Sequence, residues 1–356
     1  MAGGESRKPE LGRAETMTTP TAAALRRRIL GRTGFEVSEI GFGAWGIGKS
    51  MWGKTEDSES LAALRRALEL GINFFDTAYV YGDGHSERLI ARAFREAGRR
   101  ALVATKVPPK NFQWPSRGSL RETFPADWII RCTERSLKNL EAEAVEIQQL
   151  HVWDDSWLKD PEWEKTYKAV EVLKKHGKIK HWGVSINDRA PKTALELVRS
   201  GLVDTVQVIF NLFEQEPAEE LFPLCRERRV GVIARVPFDE GGLAGTLAEE
   251  TVFEEGDFRR GYFSGGLLKE TARRAKAVER VLVPGAPDLA AAALRFCLSF
   301  PEVSSVIPGM RRAAHVEANS RMAGSRPYPA RLLKELRAHA WKRDLKDPGG
   351  AGRSKA

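Results

Sequence analysis

Cysteine is scarce in this chain of 356 residues: Cys132, Cys225 and Cys297 are the only three, and no two form a C-x-x-C pair. An odd, scattered set excludes a disulfide framework and reads as reduced thiols in a cytosolic protein. No apolar run approaches the roughly 18 residues of a spanning helix, so no membrane association is expected. The first 25 residues have no apolar core of a secretory signal. There is no H-E-x-x-H, Cys/His cluster or paired-carboxylate motif, and no metal is expected. His176 and His181 are five apart across a helix-to-strand turn and read as solvent-facing.

Charge of one sign is also missing from the body of the chain. The net charge is +9, from 57 basic and 48 acidic residues. Residues 1–32 hold seven basic and three acidic groups, and residues 321–356 hold ten and three. The excess therefore sits at the ends, without the basic stripe and aromatic platforms of a nucleic-acid surface. Arg26-Arg27-Arg28 reads as solvated charge, and no nucleic-acid partner is expected. Residues 1–24 and 344–356 read as disordered ends around a single domain at 25–343.

What is present is a rhythm. Residues 26–40 alternate about a Thr-Gly turn, as a hairpin does. Short apolar runs follow at 39–45, 73–78, 102–107, 146–153, 181–186, 204–210, 230–237 and 303–309. Helical patterns separate most of them, at 57–70, 86–97, 126–140, 161–176, 190–200, 217–228 and 287–300. Leu61, Leu64, Ala67 and Leu68 share one face of the first, and Gly71 stops it. Eight rounds of this alternation predict an α/β (β/α)8 TIM barrel, closed at the bottom by the N-terminal β-hairpin. An open doubly wound sheet is the competing arrangement. The connections 108–125 and 238–266 are too long for the repeating unit. They follow strands, which places them at the carboxyl face as lids.

Gly41-x-Gly43-x-x-Gly46 matches the dinucleotide fingerprint in form only. That fingerprint needs a helix opening at once, so that pyrophosphate meets free N–H groups. Ile47 to Gly53 reads as loop instead. The chemistry is expected at the ends of the next strands. Asp76 and Lys106 close two consecutive buried runs, where each charge needs a partner and neighbouring strands allow them to supply one another. Tyr81 lies just past Asp76, and His151 ends the next run. Four convergent groups on three successive strands point to one site.

These segments resemble the aldo-keto reductase family over about residues 28–322. The resemblance rests on Asp76-Thr77-Ala78-Tyr79-Val80-Tyr81-Gly82 with Gly84-His85-Ser86-Glu87, on Ala104-Thr105-Lys106, and on Leu150-His151. Gly183-Val184-Ser185 and Ile307-Pro308-Gly309 extend it. It implies that Tyr81 is the general acid, that Lys106 and Asp76 tune it, and that His151 orients a substrate carbonyl. Tyr79 is the rival phenol, and the family spacing favours Tyr81. The chemistry is consistent, because hydride addition builds negative charge on the carbonyl oxygen and needs a donor there. A tyrosine with an ordinary pKa of about 10 is shifted down by an adjacent cation.

The resemblance also implies a nicotinamide cofactor, NADPH or alternatively NADH, extended across the barrel mouth. Ser185 and Gln207 would hold its carboxamide; Asn187, one residue later than the family's usual Asn, is the neighbouring candidate. Arg235 stands where many members stack a tyrosine, and a planar guanidinium can also stack. Gly309, Arg311, Arg312 and Asn319 fall in the adenosine-phosphate segment. Arg311 or Arg312 could pair with a 2′-phosphate, which favours NADPH. Trp45, Trp52, Phe112, Trp114 and Trp153 are the expected walls of a pocket for a small apolar carbonyl substrate. The expected activity is NADPH-dependent reduction of an aldehyde or ketone. The alternatives are a cofactor-binding, redox-sensing regulatory subunit of the same fold, and an unrelated barrel lyase using Lys106 as a Schiff base.

Overall fold

The computed structural model describes residues 25–49, 51–53, 55–115, 118–282 and 286–343. The expected disordered ends at 1–24 and 344–356 lie outside the described residues. Each apolar run coincides with or overlaps one strand of a parallel sheet: β3 (Phe42–Gly43), β4 (Phe74–Asp76), β5 (Leu102–Val107), β6 (Val145–Leu150), β7 (Ile179–Ser185), β8 (Thr205–Ile209), β9 (Gly231–Arg235) and β10 (Val303–Val306). They lie side by side in chain order. The sheet closes on itself where Gly41 N–H donates to the Val306 carbonyl (2.8 Å) and Gly43 N–H to that of Pro308 (3.0 Å). Parallel bridges Ile40–Val306 and Gly43–Gly309 mark the same seam. The result is a (β/α)8 barrel, and an open sheet is excluded.

Gly41 and Gly43 of the dinucleotide-like pattern belong to that seam. A Cβ on Gly43 would stand 2.6 Å from the Ile307 carbonyl oxygen and 2.7 Å from that of Pro308, so only glycine lets the two strands meet.

The hairpin β1 (Arg27–Ile29) and β2 (Glu36–Ser38) pairs antiparallel and plugs the bottom. Leu30 and Val37 join Phe74, Ala104, Ile147 and Ile233 in an apolar cluster inside the barrel. Strand side chains alternate between faces, so the inward residue two positions on is Asp76, Lys106, Gln149 or Arg235. An apolar floor thus carries a polar layer at the carboxyl end. Arg28 is not solvated charge as expected. Its Nε donates to Glu39 Oε1 (2.6 Å), and its terminal nitrogens donate to the carbonyls of Leu298, Phe300 and Val303. It thereby caps the carbonyl end of helix Leu289–Leu298.

Helices Asp57–Glu69, His85–Glu96, Ala126–Asn139, Trp163–Lys175, Leu195–Ser200 and Leu221–Arg228 cover the barrel at the expected places. Beyond them, helix Leu267–Leu282 buries a narrow face of Thr271, Ala272, Ala275, Val278 and Leu282. Those side chains are too short and too polar to stand out as an apolar stripe in the sequence. Among the described residues, no helix is long and apolar enough to cross a membrane, and all three cysteines are free and buried.

Candidate active site

β4 and β5 are neighbours in register, Asp76 opposite Ala104, and their ends deliver Asp76 and Lys106 to one point. Lys106 Nζ donates to Asp76 Oδ1 at 2.5 Å and to the Thr77 carbonyl at 2.8 Å. The other carboxylate oxygen of Asp76 accepts from Gln207 Nε2 (2.6 Å) and Gln149 Nε2 (3.3 Å). Lys106 is wholly buried. Burial pushes its pKa below the ordinary lysine value, the Asp76 charge opposes that, and the Arg235 charge adds to it.

Tyr81 lies in the turn between β4 and helix His85–Glu96. Its backbone N–H donates to Ala78 and its carbonyl accepts from Ser86. Lys106 Nζ lies 5.2 Å from the centre of its ring. The His151 ring stands edge-on to it at 5.8 Å, and Trp114 packs edge-on against His151 at 4.7 Å. The four groups expected to converge do so. The rival phenol goes elsewhere: Tyr79 Oη accepts from Arg135 Nη1 at 3.0 Å, on helix Ala126–Asn139. Burial, then Asp83, raises the Tyr79 pKa.

Trp45 stacks against Tyr81 at 6.2 Å. Trp52 stands edge-on to Trp45 at 5.2 Å, and Phe258 closes the group at 5.0 and 4.9 Å from the two indoles. The long connection after β9 reaches this point through an antiparallel bridge, Trp52–Asp257, with Phe258 N–H donating to the Met51 carbonyl (2.9 Å). Phe258 was not among the expected pocket residues; only its place in an over-long connection marked it. Phe112 is 48% exposed, with its ring 6.3 Å from Trp128. Trp153 does not line the mouth. It is fully buried, clasped by Trp157 and Trp163, with its indole N–H on Asp155 (2.9 Å). An aromatic at a strand end faces the barrel or the helices by register, and Trp153 faces the helices.

The expected cofactor residues lie on β7 to β9 and in the segments that follow β7 and β10. Ser185, the last residue of β7, is the register partner of Gln207 in the middle of β8. The Asn187 amide donates to the Trp153 carbonyl (3.0 Å), so it ties two loops together. Arg235 Nη2 donates to the Ile186 carbonyl (3.0 Å) and Asp188 (2.6 Å), and its buried Nε has no hydrogen-bond partner among the described residues. Gly309 lies at the barrel seam, and Asn319 is buried on helix Ala313–Ser320. Arg311 donates to the Trp52 carbonyl (2.7 Å), whereas the Arg312 side chain is 67% exposed, with Glu59 at 3.7 Å.

Burial, then the charge of Arg259, pushes the Arg311 guanidinium below its ordinary range; Asp257 opposes this, and Arg312 adds to it. Burial, then Arg311 and Arg312, lowers His315 likewise. Cations gathered at one point attract an anion. These residues therefore fit a phosphate-bearing cofactor.

Comparisons with known proteins agree with this geometry. The model of the Aldo/keto reductase family matches residues 39–340. The uncharacterized oxidoreductase YqkF of Bacillus subtilis (strain 168) is 29% identical over 330 residues, spanning 90% of this chain and 98% of that protein. The aldo-keto reductase YhdN of the same organism is 30% identical over 297 residues, spanning 82% and 87%. Among solved structures, the holo form of aldo-keto reductase AKR11C1 from Bacillus halodurans superimposes with a TM-score of 0.70. It is 25% identical, and the match covers 91% of this chain and 99% of that one.

Proposed function

Since the chain belongs to the aldo/keto reductase family, whose members are NAD(P)H-dependent oxidoreductases, we propose that it reduces a small aldehyde or ketone to an alcohol with NADPH, Tyr81 supplying the proton. The observation that carries this is the wholly buried Lys106, tied to Asp76 at 2.5 Å and set 5.2 Å from the Tyr81 ring, with the His151 ring 5.8 Å from the same tyrosine. When bound, the nicotinamide supplies a hydride. The protein's task is to hold the carbonyl and move one proton.

Tyr81 Oη donates that proton to the carbonyl oxygen as charge develops on it. Lys106 stabilises the phenolate left behind, because a fixed cation favours the charged form of its neighbour. Asp76 keeps Lys106 charged against burial. Gln207 and Gln149 fill the second carboxylate oxygen, so Asp76 is fully engaged and holds the lysine in one place. His151, braced by Trp114, orients the carbonyl. Trp45, Trp52 and Phe258 exclude water from the mouth and suit an apolar substrate. Arg311 and Arg312 would hold the phosphate-bearing end of the cofactor, Arg312 with the freer guanidinium. Similarity to the aldo-keto reductase yakc [NADP(+)] of Schizosaccharomyces pombe, 28% identical over 80% of this chain, supports the phosphorylated cofactor. Three free, buried thiols suit a reducing compartment such as the cytoplasm.

A second reading is a cofactor-binding regulatory subunit. It draws on the probable voltage-gated potassium channel subunit beta of Oryza sativa subsp. japonica, 27% identical over 83% of this chain. NADPH oxidation followed by stopped flow across a panel of aldehydes and ketones separates the two. Multiple turnovers with at least one carbonyl are expected; tight NADPH binding with no turnover on any of them would overturn the enzymatic reading.

A further inference from the structure

The last described residues return to the carboxyl end of the barrel. Beyond helix Ala330–Leu336, Trp341 N–H donates to the Phe213 carbonyl (2.8 Å), in the loop after β8. The Trp341 ring lies edge-on to Phe213 at 5.8 Å. The guanidiniums of Arg274 and Arg343 sit 4.4 and 4.8 Å from its centre. The Arg343 side chain is 2% exposed. Its Nη1 donates to Asp239 Oδ2 (2.8 Å), and its Nη2 to Asp239 Oδ1 and Glu214 Oε1, both at 2.6 Å. Arg189, from the loop after β7, joins the same group through Glu214 (2.8 Å) and Tyr262 Oη (2.6 Å). Two carboxylates and two guanidiniums thus balance beneath four segments of the mouth. Burial opposes the charge on Arg343, yet the Asp239 hydrogen bonds and charge hold its pKa above the ordinary range.

Asp239 lies in a turn that leaves β9 immediately after Arg235. Val236, Asp239 and Glu240 all have left-handed backbone, with φ of 55°, 49° and 57°. A β-branched residue there is strained, and such a turn persists only where its surroundings impose it. The Asn211 amide on the Val236 carbonyl (2.9 Å) is one restraint; the fork from Arg343 is the other. The segment that follows crosses the mouth to Phe258 and returns at Tyr262, whose hydroxyl lies 3.4 Å from Asp239 Oδ1.

We propose that Arg343 is a positioning residue: its fork on Asp239 holds the 236–241 turn, and through it the 242–262 segment, in the arrangement that retains the nicotinamide cofactor. This rests on the cofactor reading above. The tie therefore governs cofactor release rather than the proton transfer at Tyr81.

Arg343→Lys keeps the charge but cannot fork. Stopped-flow Trp fluorescence should show NADPH leaving this variant about tenfold faster, the loss of one charge-assisted hydrogen bond. The rate of a single turnover from bound NADPH at saturating carbonyl should not change. Without cofactor, chymotrypsin should cut the variant faster at Phe253, Phe258 or Tyr262, while thermal melting shows the barrel intact. Asp239→Asn should act alike, and the double variant no more than the worse single one, since all remove one contact. Wild-type NADPH dissociation together with wild-type cleavage in Arg343→Lys would overturn the proposal. A parent protein that binds no NADPH would overturn the cofactor reading instead, and the cleavage rates would still report whether Arg343 holds the segment. Should Arg343→Lys fail to fold, Asp239→Asn, read by the same two measurements, still decides.

Discussion

The carbonyl oxygen of Gly48 stands 2.0 Å from the place where a Cβ on Gly82 would begin, and Gly82 has a left-handed φ of +67°. A Cβ on Gly48 would in turn meet the Tyr81 carbonyl carbon at 2.8 Å. The turn that carries Tyr81 is therefore set by backbone lying on backbone, which leaves the Tyr81 ring beside Trp45 with no slack.

Gly82→Ala should consequently cost activity as well as stability. The left-handed φ alone costs about 1–2 kcal/mol for a residue with a Cβ. The clash is with a carbonyl, so it can be relieved only by moving the turn. A displacement near 1 Å at a reacting group costs on the order of a hundredfold in rate. Gly71 is the control: its φ is +89° and nothing lies within 4 Å of its Cβ position. Gly71→Ala should lower the melting temperature with turnover intact. Equal turnover in the two variants would mean that the Gly48 contact does not position Tyr81.

Tyr81→Phe should lower turnover by roughly 10²–10⁴, the usual worth of a general acid, with NADPH binding little changed. Tyr79→Phe loses only the hydroxyl that accepts from Arg135 and should turn over normally. Steady-state rates for both, with fluorescence titration of NADPH, make the comparison. A fully active Tyr81→Phe protein would remove the proposed proton donor.

Much of this was legible because strand ends and charges obey strong local rules. Asp76, Lys106, Tyr81 and His151 could be placed together once eight apolar runs implied neighbouring strands, since a buried charge must find its partner nearby. Gln149 and Gln207 illustrate the limit. Both reach Asp76, but a glutamine in a buried strand carries no charge to signal its partner, and the sequence assigned Gln207 only a cofactor contact. Phe258 and Arg343 were invisible for another reason. They reach the mouth through long connections, whose paths follow from tertiary contacts rather than periodicity. Trp153 and Arg28 were misplaced because exposure depends on which face or groove a side chain enters, and residue type alone does not say.

The phosphate end of the cofactor separates two adjacent arginines. Arg311 already donates to the Trp52 carbonyl, whereas Arg312, 67% exposed in its side chain, stands 3.7 Å from Glu59. Arg312→Ala should weaken NADPH about tenfold or more and leave NADH unchanged, since a hydrogen bond to a charged group is worth roughly 1.5–3 kcal/mol. Arg311→Ala should weaken both cofactors by loosening the loop that carries Trp52. Binding titrations with the two nucleotides read the difference, and an equal loss for both in Arg312→Ala would place the 2′-phosphate elsewhere.

Glu240 gives a pH dependence with a definite sign. Burial, then the charges of Asp188 and Asp239, push its carboxyl up to about 8, against Arg235 and Arg189. A folded-state value above the unfolded one favours folding while the group is protonated. That contribution is complete below the ordinary value of 4.5 and is lost as the pH rises towards 8. Glu240→Gln mimics the protonated form. Urea melts should give the two proteins similar stability near the acid end of this window and a more stable Gln variant above it. Parallel pH profiles would show that Glu240 is not held protonated.

Lys106 provides the test of mechanism. Lys106→Met keeps much of the stem and deletes the cation beside Tyr81. The phenol should then titrate at higher pH, each unit corresponding to about 1.4 kcal/mol between its two forms. In alcohol oxidation the wild-type rate should fall as acid protonates the phenolate, and in the variant that limb should move to higher pH. The same change leaves Asp76 buried with only Gln207 and Gln149 donating to it. Removing one partner of a buried ion pair costs about 3–5 kcal/mol. Asp76→Asn added to Lys106→Met removes the stranded charge while keeping an oxygen for Gln207. The double variant should therefore recover melting temperature and remain inactive. Thermal melts of all three variants beside a pH–rate profile decide the matter. An unmoved limb in Lys106→Met would mean that some group other than Lys106 sets the acidity of Tyr81, and a double variant that regained activity would mean that Lys106 served only the fold.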